Sequence, residues 1–155
     1  MTSKTLRLGV TAGLAGGAAE VVWVAGYGAI TGTPVGAVAR GVATALLPGL
    51  AALPVAPAIG IALHMLLAVA LGIAVVAALR APLLRRVGGW SQSMLVVAAL
   101  GAVWSFNFLV VLPQLDPAFL ALLPMVVTLA SKLLFGVSAA AVLRSRRAAG
   151  AVSMP

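Results

Sequence analysis

The stretch "GGAAEVVWVAGYG", residues 16–28, is apolar on both sides of one acid. That acid, Glu20, is the only glutamate in a chain of 155 residues. The run around it extends from about Leu6 to Ile30, where "TGTPVG" breaks it at Gly32 and Pro34. It is longer than the roughly 20 residues a helix needs to cross hydrocarbon.

Composition extends this reading to the whole chain. It is 63% hydrophobic and 8% charged, where a soluble domain is about 45–50% apolar and about 25% charged. Too little polar surface remains to cover a water-exposed fold. The sequence therefore predicts an all-α polytopic membrane protein, a single membrane domain over residues 1–155. Further spans are expected at about 57–79, 91–112 and 117–143, giving a bundle of four transmembrane helices. Pro57 suits a first helical turn. "RAPLLRRVGG" and "LPQLDP" separate the later spans. Pro124 lies inside the last one, where a kink is expected near the outer end.

Residues 34–53, "PVGAVARGVATALLPGLAAL", are apolar but carry Arg40 and are interrupted by Pro48-Gly49. They are too short between breakers to span. They read as a short interfacial or re-entrant helix between the first two spans, since irregular backbone at membrane depth needs protein or water to cover it. Arg40 reads as an interfacial anchor, or, in a re-entrant arrangement, as a partner for Glu20.

The net charge of +8 does not indicate nucleic acid. The basic residues form no stripe, and no aromatic platform accompanies them. Instead they mark orientation. Lys4 and Arg7 precede the first span. Arg80, Arg85 and Arg86 lie between the second and third, and Arg144, Arg146 and Arg147 close the last. Eight of the ten basic residues thus share one side of a four-span arrangement, leaving Arg40 opposite and Lys132 within a span. Both termini are expected in the cytoplasm of a cell whose inner membrane holds the protein. Lys4 and Arg7 before an apolar run also resemble a signal peptide, but the run continues long enough to span. The absence of cysteine excludes disulfides and thiolate zinc sites.

Lipid tails are as apolar as leucine, so helices associate in a membrane by close packing of small residues and by polar contacts. Gly9, Gly13 and Gly17 lie four residues apart on one face of the first span, and Ala12 and Gly16 form the adjacent row that ends at Glu20. Gly60, His64, Ala68 and Gly72 repeat the spacing on the second span, and Thr128, Lys132 and Gly136 on the last. The polar residues therefore sit on the rows that face other helices. The Gly9, Gly13 and Gly17 row is also a candidate surface for a homo-oligomer.

Helix rise of 1.5 Å per residue gives depth. Glu20 lies roughly 20 Å from Arg7, Lys132 roughly 18 Å from Arg144, His64 roughly 24 Å from Arg80 and Asn107 roughly 25 Å from Trp90. Four polar groups on four spans converge on one layer, with Trp23, Trp104, Ser105, Thr128 and Ser131 as secondary lining. A lone charge at the membrane centre costs about 2.5–3.5 kcal/mol on insertion scales. Glu20 and Lys132 are the only oppositely charged pair within spans, so they are expected to meet, with His64 and Asn107 satisfying the remaining donors and acceptors. The alternative is a purely structural clamp between the first and last spans.

No nucleophile–base–acid set is legible, which places an enzyme behind two other readings. The first is transport-type handling of a small polar solute or ion by the Glu20, His64, Asn107 and Lys132 layer. The second is a non-catalytic accessory or assembly subunit of a larger membrane complex. No cofactor is expected; haem held by His64 and Met125 is the remaining candidate.

Because the chain has no cysteine, single-cysteine labelling is free of background. Cysteines at Ser3 and Ser145 are expected to react with an impermeant maleimide from the same membrane side, and one at Thr33 from the opposite side. Labelling of Ser3 and Thr33 from one side would exclude the four-span topology.

Overall fold

A computed structural model of the chain describes residues 2–81, 84 and 89–152, without the side chains of residues 89 and 147–152. Arg85, Arg86 and most of the turn between the second and third spans lie outside the described residues, as does the side chain of Arg147. Among the described residues there are helices and no strands.

Each apolar run becomes a helix whose ends follow from local chemistry. Helix α1 spans Ser3–Thr31. The hydroxyl of Thr2 accepts from the Thr5 N–H at 3.3 Å and caps its start. Gly32, at φ 75°, ends it in the left-handed conformation that glycine adopts without steric cost, and its N–H donates to the Gly28 carbonyl at 2.9 Å. Helix α2 spans Val35–Leu46 and is followed by a single 3-10 turn, Pro48–Leu50. Arg40 projects from α2 and donates to the carbonyls of Ala51 and Leu53 at 2.7 and 2.9 Å. It thus fixes the loop that returns into α3, Ala56–Ala78, and does not reach toward Glu20.

The third and fourth long helices depart from the expected limits. Helix α4, Gly89–Phe106, runs into a π turn at Asn107–Val111 and a last short helix, α5, at Leu112–Leu115. A 3-10 segment at Pro117–Ala121 follows, and α6 then spans Met125–Val152. The expected kinked helix starting at 117 is not formed. Proline disfavours helical backbone in the residue before it, so Pro124 separates the 3-10 segment from α6. Its carbonyl accepts the first helical bonds, from Val127 and Thr128 at 2.9 and 3.2 Å.

Four helical stretches, Ser3–Thr31, Ala56–Ala78, Trp90–Leu115 and Met125–Arg146, are long and apolar enough to cross a membrane. Helix α1 is the central one, packed against α3 on one side and α6 on the other, while α2 lies along α3 and α4 along α6. The α1–α3 contact is backbone against backbone. A Cβ on Gly13 would stand 2.5 Å from the Ala68 carbonyl oxygen and 2.6 Å from Val69 Cα. Gly9 meets the Ile73 backbone in the same way, and Gly17 meets the Ala68 methyl and the Met65 thioether. The glycine row proposed above for a second copy is therefore occupied by α3 of the same chain.

Two apolar clusters fill the bundle. The larger draws Ala12 from α1, Ala68 and Val76 from α3, Val96 and Leu100 from α4, and Phe135, Ala139 and Leu143 from α6. The smaller, toward the α2 end, joins Val38, Leu123 and Val127, with Val24, Tyr27, Phe119 and Leu122 packed around them.

Gly13→Ala is expected to force α1 from α3 and lower stability by about 1–3 kcal/mol, the usual cost of overpacking. Gly26→Ala, where a Cβ meets nothing within 4 Å, serves as the control and is expected to be neutral or slightly stabilising. Thermal unfolding in detergent or nanodiscs measures both; equal effects would contradict the close α1–α3 contact.

Candidate functional site

Glu20 lies where α1 passes between α3 and α6, and it is buried, with 4% of its side chain exposed. Its neighbours follow from helical spacing. Gly16 and Gly17, one turn earlier, bring α6 and α3 close: a Cβ on Gly16 would meet the Phe135 ring at 2.7 Å, and one on Gly17 the Ala68 Cβ at 2.7 Å. With both helices drawn in, the next turn outward holds a polar cluster. Lys132 Nζ stands 2.7 Å from Glu20 Oε1. Ser131 donates to the same oxygen at 3.4 Å. From α3, His64 Nε2 stands 3.5 Å from Glu20 Oε2.

The two carboxylate oxygens are unequal. Oε1 takes the ammonium and the hydroxyl. Oε2 is buried without a hydrogen-bond partner, and so is His64 Nε2 across from it. Buried polar atoms are rarely left unpaired, because each loses its hydration with no replacement. Lys132 is further held by the face of Phe135, 5.3 Å from the ring centroid. Lys132 and His64 retain 18% and 27% side-chain exposure, so the cluster is partly open at its two flanks and closed at the carboxylate.

Of the four principal residues expected in one layer, the fold brings together Glu20, His64 and Lys132. Asn107 is exposed, and no side-chain hydrogen bond ties it to the cluster. Inward positions on this stretch step by four: Val96, Leu100, Trp104, then Leu112 are buried, and Phe108 stacks on Trp104 with centroids 5.5 Å apart. Such a row drifts about 40° per step on an α-helix. The π turn Asn107–Val111 inserts the extra residue that offsets this drift between Phe108 and Leu112, and Asn107, one position before the inward Phe108, faces outward. Across from them α6 has ended, and Phe119 of the 3-10 segment meets Phe108 instead.

The secondary residues form a frame around the cluster. Trp23 Nε1 donates to the Val127 carbonyl at 3.0 Å, with its ring partly exposed. Trp104 Nε1 donates to the Thr128 hydroxyl at 3.0 Å, and that hydroxyl donates to the Met125 carbonyl at 2.9 Å. Together they tie α1 and α4 to the first turn of α6. Ser105 donates to the Gly101 carbonyl of its own helix at 3.0 Å and so faces its own backbone. Sequence reasoning placed Ser131 in the lining, whereas it bonds the carboxylate directly. It missed Phe135, although its position three residues after Lys132 puts it on the same helix face. Met65, next to His64 in sequence, packs its sulfur toward Gly17. Met125 lies at the exposed start of α6.

Among the described residues, no group of three or more His, Asp or Glu side chains is arranged to hold a metal ion. A separate groove of about 520 Å³ lies at the α2 end, lined by Arg40, Thr44, Asp116 and Phe119 among others. Its polar groups are engaged: Asp116 Oδ1 accepts from the Phe119 N–H at 3.2 Å, and Oδ2 from Thr44 at 3.4 Å.

Fold and cluster together define an all-helical bundle with four apolar helices of spanning length and one buried acid–base cluster. No protein-family model, curated protein or solved structure matches the chain.

Removing Lys132 leaves a buried carboxylate without its closest cation. Lys132→Met is expected to cost about 3–5 kcal/mol, the range for breaking a buried pair. Pairing it with Glu20→Gln is expected to recover most of that loss. A double-mutant cycle of unfolding in nanodiscs reads the coupling; additive losses would show that the two side chains do not interact.

Proposed function

We propose that the chain is a small multi-pass integral membrane protein that handles a small polar solute or ion at Glu20, His64, Ser131 and Lys132. The observation that carries this reading is the pair of buried, unpartnered atoms facing each other, Glu20 Oε2 and His64 Nε2. A clamp built only for stability would be expected to satisfy its polar atoms. Intramembrane ionisable groups commonly mark solute pathways.

The basic clusters assign the sides in this reading. The termini face the cytoplasm across the inner membrane, and α2 with the 3-10 segment at Pro117–Ala121 lies at the outer face as an interfacial cover. By helix rise, Glu20 is about 16 Å from the outer end of α1, His64 about 12 Å from that of α3 and Lys132 about 10 Å from that of α6. The smaller apolar cluster separates the site from the outer face, and the larger one separates it from the cytoplasmic face.

A second reading, an accessory subunit of a larger membrane complex, has its own support. Helix α4 packs mainly along α6 and leaves Met94, Leu95, Val103 and Phe106 exposed. Lipid or another subunit would cover them. A homo-oligomer in either reading has to use a face other than the Gly9, Gly13 and Gly17 row.

The test is flux in vesicles reconstituted with the purified chain, probed with proton, sodium and potassium gradients and with small amines. At least one probe is expected to move, with a loss of tenfold or more in Glu20→Gln, read under conditions where circular dichroism shows the variant still folded in the vesicles. Vesicles impermeable to every probe, or flux unchanged by Glu20→Gln, would refute solute handling at this site.

A further inference from the structure

We infer that the ligand of this cluster is a single proton, taken up on His64 Nε2 and shared with Glu20 Oε2. This rests on the solute-handling site proposed above and names what that site binds. The argument begins with the two unpartnered atoms. In the neutral tautomer with its proton on Nδ1, the Nε2 lone pair faces a carboxylate lone pair at 3.5 Å, and both acceptors stay unsatisfied; the other neutral tautomer would face Oε2 with a donor without proton uptake, and the ¹⁵N signals of the ring distinguish the two. A proton on Nε2 of that tautomer makes the atom a donor facing Oε2, and a contraction of the 3.5 Å separation to hydrogen-bond distance lets a single bound particle serve both atoms. Oε1 remains with Lys132 and Ser131. The step is simple protonation: the nitrogen lone pair forms an N–H bond with a proton from solvent, no bond breaks, and the cluster charge rises from zero to +1. The carboxylate then lies between two cations, one on each oxygen.

Other ligands fit less well. A water donating to both atoms through hydrogen bonds near 2.9 Å would need them about 4.5 Å apart, wider than the 3.5 Å observed. A metal cation would find two protein ligands on one side and the ammonium of Lys132 on the far side of the same carboxylate. An anion would face the carboxylate itself.

The charged surroundings of His64 are few. Helix α1 contributes Glu20 and α6 contributes Lys132. Helix α2, packed along α3, carries Arg40, which is held by the Ala51 and Leu53 carbonyls. Helix α4 has no charged residue, and α3 has none besides His64. Proton occupancy at this ring therefore reports on the Glu20–Lys132 contact and on little else.

The sequence makes the experiment clean, because the chain has one histidine and one glutamate. The full chain, labelled with ¹⁵N-histidine and ¹³C-glutamate in nanodiscs, gives one ring and one carboxyl signal. Titration by NMR and infrared spectroscopy is expected to show the ring passing from one protonated nitrogen to two. Dye-measured uptake is expected to be one proton per chain, lost in His64→Gln. A ring that keeps one state wherever the chain stays folded would overturn the inference, as would a proton that arrives on Glu20 instead. The spectra of the unaltered chain decide this even if His64→Gln does not fold. Amine or alkali-cation flux with a ring that does not titrate would overturn proton binding and leave solute handling intact. A ring that titrates in vesicles passing none of the probes would support proton binding and refute transport.

Discussion

A carboxylate enclosed by apolar helices needs donors at its own depth, because the alternative is a bare charge with neither water nor partner. Glu20 meets that requirement at one oxygen, where Lys132 and Ser131 of α6 converge, while its second oxygen faces His64 of α3 without a hydrogen bond. Much of the architecture is consistent with this constraint. The acid lies on the central helix, the one that contacts both neighbours. One turn before it, two consecutive glycines allow Phe135 from one side and Ala68 from the other to approach the α1 backbone. Without that approach, side chains on α3 and α6 would not reach the same carboxyl group.

The layer is bounded by apolar packing on both sides. Toward the basic ends of the helices, Phe135, Leu100 and Val76 fill the space between α3, α4 and α6. Toward α2, Val38 closes over Val127 and Leu123. The polar cluster is thus a local exception in a packed interior, and charge interactions are strong there because little solvent screens them. Its most exposed members are the two basic side chains at its flanks, while the acid is sealed.

The limits of sequence reading appear at particular residues. The depth estimate brought Glu20, His64 and Lys132 to one level, and the fold places them in contact range. For Asn107 the same estimate gave height alone: the side chain is exposed, and rise along an axis says nothing of azimuth. Pro124 was read as a kink, but it separates a 3-10 segment from α6; the preceding "PAFLALL" favours helix by composition and gave no sign of the break. The glycine row of α1 was legible as a contact surface. Its partner was not, since a row of small residues fits a helix of the same chain as readily as one from another copy.

What the sequence determined by itself was the number of long apolar helices, most of their ends, and the presence of one acid and one internal lysine that could not both be left unpaired among apolar side chains. Those properties are local: they follow from run length, breakers and the cost of an isolated charge. Only the tertiary structure decided that α1 is the middle helix, that Ser131 shares an oxygen with Lys132, and that the second oxygen faces an unpartnered imidazole nitrogen. These depend on rotations of helices about their own axes, which are set by the packing of many side chains at once and leave no pattern in any single segment.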